Sequence, residues 1–372
     1  NVIHTPNKSV LVLDSLRRDK KIFLPKLKNK FRILHISNFG IKNDHRLFNL
    51  SIARKISNGL IRNGHDVINF DYRNHITGIF RNNSLDTKIL LIVENYKPDL
   101  VLLGHNNSLS RDVLDILKNK YKSKIALWYE DHVIKGDPSY RKNLDLIEKN
   151  NNLIDGYFIT TSPDIIKTKI SRNKINFLPI PVDPNIECGE FYNYKKNKDL
   201  FFALSHGVNY GKLKKNASDE RETFVEKMIL HSNTQIDFNI LGLFNEQPKW
   251  NYNFNNELMI CKTALNLSRG GPNKYASSNR IATLMGNGVL PFVHYKVKYQ
   301  DFFDNDEIIT YKDHKDLINQ LLIIKEKPNE LKLRSSKSKK SYFNYFQNNI
   351  IADFIIHKIF NTKKNYKYVW SK

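Results

Sequence analysis

The chain has 372 residues, more than one ordinary domain and suited to two of roughly 150–200 residues each. Apolar residues make up 40% and aromatics 12%, enough to build packed cores, which excludes a disordered chain. The formal net charge of +23 invites a nucleic-acid partner, but the 60 Lys and Arg are spread along the chain beside abundant Asn and Ile, as AT-rich coding produces, and this argues against one.

No run of ~18 or more uncharged apolar residues marks a spanning helix, and residues 1–30 carry no secretory pattern. Only Cys188 and Cys261 occur, without metal-ligand spacing, and the histidines form no cluster. The expectation is a reduced, cytoplasmic protein with no structural metal and no disulfide. Basic runs lie at Arg17, Arg18, Lys20, Lys21, Lys26, Lys28, Lys30 and Arg32, at Lys337, Lys339 and Lys340, and at Lys363, Lys364 and Lys367. Such residues each add roughly 1 kcal/mol of attraction to an anionic membrane surface, which makes peripheral association at the inner face one reading of them. A solvated face is the alternative.

In chain order, residues 1–30 read as a basic extension broken by Pro25. The segment 31–38, FRILHISN, reads as a buried strand running towards Gly40. Leu50, Ala53, Ile56, Leu60 and Ile61 predict a helix over 48–63, closed by Gly64, before a strand at 66–70. A helix at 89–96, a strand at 100–104, a helix at 110–120 and a strand at 124–128 follow. The last of these ends in Tyr129-Glu130-Asp131-His132, ahead of a helix at 141–150 and a strand at 156–160. This alternation predicts a parallel, doubly wound sheet with ligands at the C-terminal strand ends. Those ends hold 35–44, His105-Asn106-Asn107 and Glu130-Asp131-His132. Residues 176–184 carry three prolines and read as the crossing to a second domain.

The alternation restarts with a strand at 199–205, a helix at 220–230 and a strand at 237–241, then runs on through Phe292 and Ile309. Helices at 315–325 and 350–360 finish the chain. The expected architecture is α/β, two Rossmann-like domains facing across a cleft, over 31–185 and 186–345. Residues 346–372 form a last helix and basic tail that cross back to the first domain.

The most informative block is 263–293, TALNLSRGGPNKYASSNRIATLMGNGVLPFV. A strand breaks at Ser268-Arg269-Gly270-Gly271-Pro272, and a helix begins near Ser277, Ser278 and Asn279, which are good caps. A strand, a Gly-rich loop and a helix N-terminus together make an anion site. Arg269, Asn273, Lys274, Ser277, Ser278, Asn279 and Arg280 are its candidates, with Arg and Lys supplying charge-assisted bonds to a diphosphate. A capped polar loop with no ligand is the plainer alternative. The loop after the first strand of the second half adds His206, Asn209, Lys212 and Arg221, or is a surface loop.

This order of parts resembles the donor-site signature of GT-B glycosyltransferases of the group-1 type, particularly the CgeB-like branch. Met285-Gly286-Asn287-Gly288-Val289-Leu290-Pro291 looks like that family's small-residue turn, and Arg280 falls where the branch places an Arg three residues before an acid. The chain departs from the pattern at two positions. Thr283 stands where the ribose-holding acid would be, and Tyr275 stands near the other glutamate of the retaining pair. The resemblance covers about residues 31–345 and is most specific over 199–293.

The resemblance implies a glycosyltransferase that takes a nucleotide sugar as substrate, without cofactor or metal. Its acceptor is a cell-surface glycan of polysaccharide or lipopolysaccharide type, or a lipid-linked saccharide. The first half supplies the acceptor side, where Asn38 and Gly40 lie in the loop after the first strand. Asp44, His45, Glu130, Asp131 and His132 are candidate general bases, Asp131 foremost. Two other classes stay open: an epimerase or phosphorylase on the same fold, and a basic non-catalytic binder of nucleic acid or anionic glycan.

Overall fold

The computed structural model describes residues 30–39, 51–72, 85–105, 109–204, 220–244, 246–276 and 278–371. Two parallel sheets organise them. The first holds β1 (Arg32–Ser37), β2 (Asp66–Asp71), β3 (Leu100–Gly104), β4 (Lys124–Tyr129), β5 (Gly156–Ile159) and β6 (Ile175–Phe177), in the order β2-β1-β3-β4-β5-β6. The second holds β7 (Lys198–Ala203), β8 (Phe238–Leu241), β9 (Cys261–Asn266), β10 (Leu290–His294) and β11 (Ile309–Tyr311), in the order β11-β10-β9-β7-β8. Every pairing is parallel. Strands such as β3, LVLLG, are buried along their whole length, as expected of sheets covered on both faces. In each sheet the strand order reverses beside the first strand, between β1 and β3 and between β7 and β9. These two reversals are the places where a doubly wound sheet opens a crevice for ligands.

The helices that cover the first sheet are α1 (Ile52–Arg62), α2 (Leu85–Tyr96), α3 (Arg111–Asn119) and α4 (Tyr140–Glu148). Ser51 caps α1 by accepting from Arg54 N, and Ser110 caps α3 by accepting from Val113 N. The second sheet is covered by α5 (Glu220–His231), α6 (Asn251–Met259), α7 (Asn279–Gly286), α8 (His314–Lys325) and α9 (Pro328–Phe346). The helix α6 falls within the helix–strand alternation expected after 237–241, whereas α9 is not expected from the sequence. Part of the proline-rich stretch is β6, so the crossing begins only at Leu178. None of the helices among the described residues is long and apolar enough to span a membrane.

The chain passes between the two sheets twice, and the two passages pair. Val182 N–H donates to Phe346 O at 3.0 Å, and Asn348 N–H donates to Val182 O at 2.9 Å. The last helix, α10 (Asn348–Phe360), then lies against α1. All of α1 except Arg54 is therefore buried, with the first sheet on one side and α10 on the other. One apolar cluster runs through this region from Leu102 and Trp128, through Ile56 and Leu60, to Ile351, Phe354, Phe346 and Met285. The two halves thus share a core at their junction.

Candidate active site

At the first strand reversal the chain ends are tied closely. Ser37 Oγ, closing β1, donates to Gly104 O, closing β3, at 3.0 Å. A side chain at Gly104 would collide with Ser37 and the Trp128 ring, so this position has room only for glycine. His35 does not face the crevice. Trp128 Nε1 donates to His35 Nε2 at 2.8 Å, so the proton sits on Nδ1, which donates to Ser57 Oγ at 2.7 Å. Ser57 in turn donates to Asn69 Oδ1 at 2.7 Å. Burial pulls the His35 pKa down to about 3, and the ring is a neutral core residue.

Beyond β4, Asp131 is exposed and its Oδ2 lies 3.4 Å from His105 Nε2. His105 has φ +53° and stacks its ring on Tyr129, with centroids 4.7 Å apart. A carboxylate beside an imidazole at a parallel strand end has the chemistry of a proton acceptor. The sequence puts both Asp131 and His105 at ligand-bearing strand ends but not beside each other, because they follow different strands. Glu130 is half-buried, and its carbonyl accepts from Thr160 Oγ1 at 2.8 Å. Asn38 is half-buried beside Phe39, whose N–H donates to Asp71 Oδ2 at 3.2 Å.

The second reversal carries the Gly-rich loop. Gly270 and Gly271 adopt φ +75° and +79°, the left-handed region that favours glycine. Gly270 N–H donates to Glu220 Oε1 at 2.5 Å, so this amide already holds a carboxylate. The Asn273 amide closes the turn on the Gly270 and Gly271 carbonyls. Ser278 caps α7, accepting from Arg280 N. Arg280 donates from Nη1 to Leu267 O at 2.8 Å and from Nη2 to Ala203 O at 2.9 Å. Its guanidinium therefore clasps the ends of β9 and β7, directly at the reversal. Arg269 is exposed.

This loop also reaches the first half. His132, buried, donates from Nδ1 to Arg269 O at 3.0 Å. Ser162 N–H donates to Lys274 O at 3.3 Å, and Lys274 Nζ pairs with Asp164 at 2.8 Å. Burial raises the Asp164 carboxyl, but the bonds from Lys274 and Ser162 outweigh it and hold the group below the usual carboxylate range. Lys55 Nζ, from α1, donates to Asn279 Oδ1 at 2.8 Å. The structure thus keeps Arg269, Asn273, Lys274, Ser278, Asn279 and Arg280 in one loop and helix start at the second strand reversal, which touches the first half through His132, Ser162, Asp164 and Lys55. Gly40, Asp44, His45, His206, Asn209, Lys212 and Ser277 lie outside the described residues.

The two departures from the sequence pattern have structural partners. Thr283 is buried and donates back to Asn279 O within α7, while Tyr275 O–H donates to Asp301 Oδ2 at 2.8 Å. Among the described residues one acidic group has metal-ligand spacing, Asp304, Asp306 and Glu307. It is engaged locally: Glu307 accepts from Asp304 N and from Ser341, and Asp306 pairs with Lys337.

Residues 221–344 match the family described as glycosyl transferase-like. The fold is similar to that of HepE from Anabaena, solved with UDP and glucose, at 11% identity and a TM-score of 0.57 over 89% of this chain and 100% of that one. It is also similar to a glycosyltransferase from Rickettsia africae, at 12% identity and a TM-score of 0.56 over 90% and 100%. Sucrose-phosphate synthase from Thermosynechococcus elongatus gives 10% identity and a TM-score of 0.57 over 89% and 98%. No curated protein matches the sequence. The chain therefore has the two-domain GT-B fold of these glycosyltransferases, and its residues 221–344 are similar to the glycosyl transferase-like family.

Proposed function

We propose that this protein is a glycosyltransferase that moves a sugar from a nucleotide-sugar donor at the second strand reversal to a glycan or lipid-linked saccharide. The observation that carries the reading is the pair of left-handed glycines, Gly270 and Gly271, leading at the second strand reversal to the Ser278-capped start of α7, with exposed Arg269 beside them. It lies within the residues that match the family. The positive end of α7 suits a diphosphate, whose charge grows as the sugar leaves. In this reading Arg280 holds the two strand ends in place for that contact, and Arg269 meets the phosphates. No metal is needed for the departing diphosphate, so EDTA leaves turnover unchanged. Asp131, beside His105, is positioned to take a proton from an acceptor hydroxyl.

HepE, solved with UDP and with UDP-glucose, makes uridine nucleotides the first donors to try. Titration calorimetry with UDP and UDP-glucose tests the reading on the wild type and on Arg269→Ala. At a hundredfold its dissociation constant a ligand stabilises by about 2.7 kcal/mol, so a thermal-shift panel of other nucleotides extends the search. Binding that Arg269→Ala weakens supports a donor site. If no nucleotide or nucleotide sugar binds, the transferase reading fails, and a charge-driven binder with steep salt dependence takes its place. Isomerisation of the donor without acceptor identifies an epimerase instead. Action at the cytoplasmic face of a membrane belongs to the same proposal, and flotation with anionic vesicles at low and high salt tests it.

A further inference from the structure

The junction of the two halves contains a polar cluster whose charged side chains, Lys55, Arg62, Asp183 and Glu187, are fully buried. Lys55 on α1 and Glu187 on the first crossing have fully buried side chains, with Nζ 2.5 Å from Oε1. The same ammonium donates to Asn279 Oδ1, at the first residue of α7, at 2.8 Å. Glu187 Oε2 accepts from Asp183 N at 2.8 Å. Asp183 pairs with fully buried Arg62 at 2.9 Å and accepts from Asn58 at 2.7 Å and from Asn348, on the second crossing, at 2.9 Å. Lys55 therefore touches three parts of the molecule: the first half, the connecting segment, and the helix start that faces the donor crevice.

Burying two charges costs several kcal/mol per ion, and neutral pairs of similar size are commonly as stable. Stability alone does not account for an ion pair here. What an ammonium adds is direction, because its donors are satisfied at one arrangement of Glu187 and Asn279 and left orphaned at others. Apolar contacts at the same junction tolerate small slides. We propose that Lys55 is a positioning residue: through Glu187 and Asn279 it fixes the angle at which the N-terminus of α7 faces the first sheet, and thereby sets donor affinity. The link to donor affinity rests on the transferase reading; the link to domain angle does not.

The test uses the full chain carrying Lys55→Met and Glu187→Gln together. This pair removes both charges, while the Gln carbonyl can still accept from Asp183 N–H. Spin labels go on Asn119→Cys and Glu226→Cys, exposed positions on α3 and α5, in a Cys188→Ser background. Cys261 is buried, which pushes its thiol up to about 12 and keeps it unreactive. The expected result is a folded variant with near wild-type melting, a broadened label-to-label distance distribution, and UDP binding weakened about tenfold. An unchanged distribution overturns the proposal. So does a variant that fails to fold, because the pair would then serve stability. If the wild type binds no UDP, the donor reading falls, and the distance distribution still decides the role of Lys55 in domain angle.

Discussion

Gly59 of α1 lies so close to Asn348 of α10 that a Cβ on the glycine would overlap the Asn348 carbonyl oxygen. Backbone meets backbone here, beside Asn63 Nδ2 donating to Asn349 O at 2.8 Å and Asn348 Nδ2 donating to Lys55 O at 3.0 Å. The return of the chain to its first half depends on that approach. Gly59→Ala adds one methyl where neither main chain can yield, and overpacking of this kind costs about 1–3 kcal/mol. Urea unfolding should show that loss, with faster proteolysis after residue 346. Equal midpoints for wild type and variant would mean that α10 does not rest on this contact.

Gly270 and Gly271 separate two effects that usually travel together. Both have left-handed φ, but a Cβ on Gly270 would press on Asp137 while one on Gly271 would meet open space. Gly271→Ala therefore carries backbone strain alone, about 1–2 kcal/mol. Gly270→Ala adds displacement of the loop from the first half. The expected outcome is that both lose stability, but UDP affinity falls further for Gly270→Ala. Equal losses of affinity would show that the loop acts without its contact to Asp137.

The strands and most helices were legible because their apolar periods are strong; β3 and α3 are examples, and Ser110 marks the start of α3. The helix α9 escaped notice because its sequence, PNELKLRSSKSKKSYFNYF, spreads small and basic residues round the whole turn. Its buried face uses Ser335, Ser338 and Ser341 beside Tyr342 and Phe346, a pattern that hydrophobic spacing does not detect. Lys55 was hidden for a related reason. On a helix read alone it belongs to the water-facing side, and the crossing segment with Glu187, the start of α7 and α10 together turn that side into interior. The signal available was composition: that side of α1 carries Asn58 and Gly59, small groups suited to a second packing surface. Arg280 was legible as a residue of the crevice, but its bonds to Ala203 and Leu267 carbonyls depend on where two distant strands end.

Two buried histidines make the fold acid-sensitive. Burial holds His35 at about 3 and His65 at about 4, against an ordinary 6.5. Both accept a hydrogen bond through an unprotonated ring nitrogen, His35 from Trp128 and His65 from Phe31 N–H. A depressed folded pKa means the stabilisation is present above pH 6.5 and is lost as pH falls towards 4 and then 3. At about 1.4 kcal/mol per unit, each contributes on the order of a few kcal/mol. Burial pushes Glu187 the opposite way, so its contribution is lost as pH rises through its raised pKa. His35→Gln isolates the first effect, since an amide can accept from Trp128 and donate to Ser57. Urea midpoints should place the variant below wild type near neutral pH, with the gap closing in acid. Parallel curves would refute the assignment.

Arg280 and Arg269 stand close in sequence and should fail differently. The Arg280 fork bonds the Leu267 and Ala203 carbonyls, and its guanidinium lies 5.1 Å from the centre of the Phe202 ring. A lysine keeps the charge but cannot reach both carbonyls in the plane of the fork. Arg280→Lys should therefore lose about 1–3 kcal/mol of stability, and nucleotide affinity with it, because the ends of β7 and β9 are no longer held together. Arg269 is exposed, and Arg269→Ala should leave the unfolding midpoint unchanged while weakening UDP binding. Calorimetry and urea unfolding on the two variants separate the roles. If Arg280→Lys keeps wild-type stability yet loses UDP, charge at the crevice outweighs the clasp, and Arg280 itself meets the phosphates.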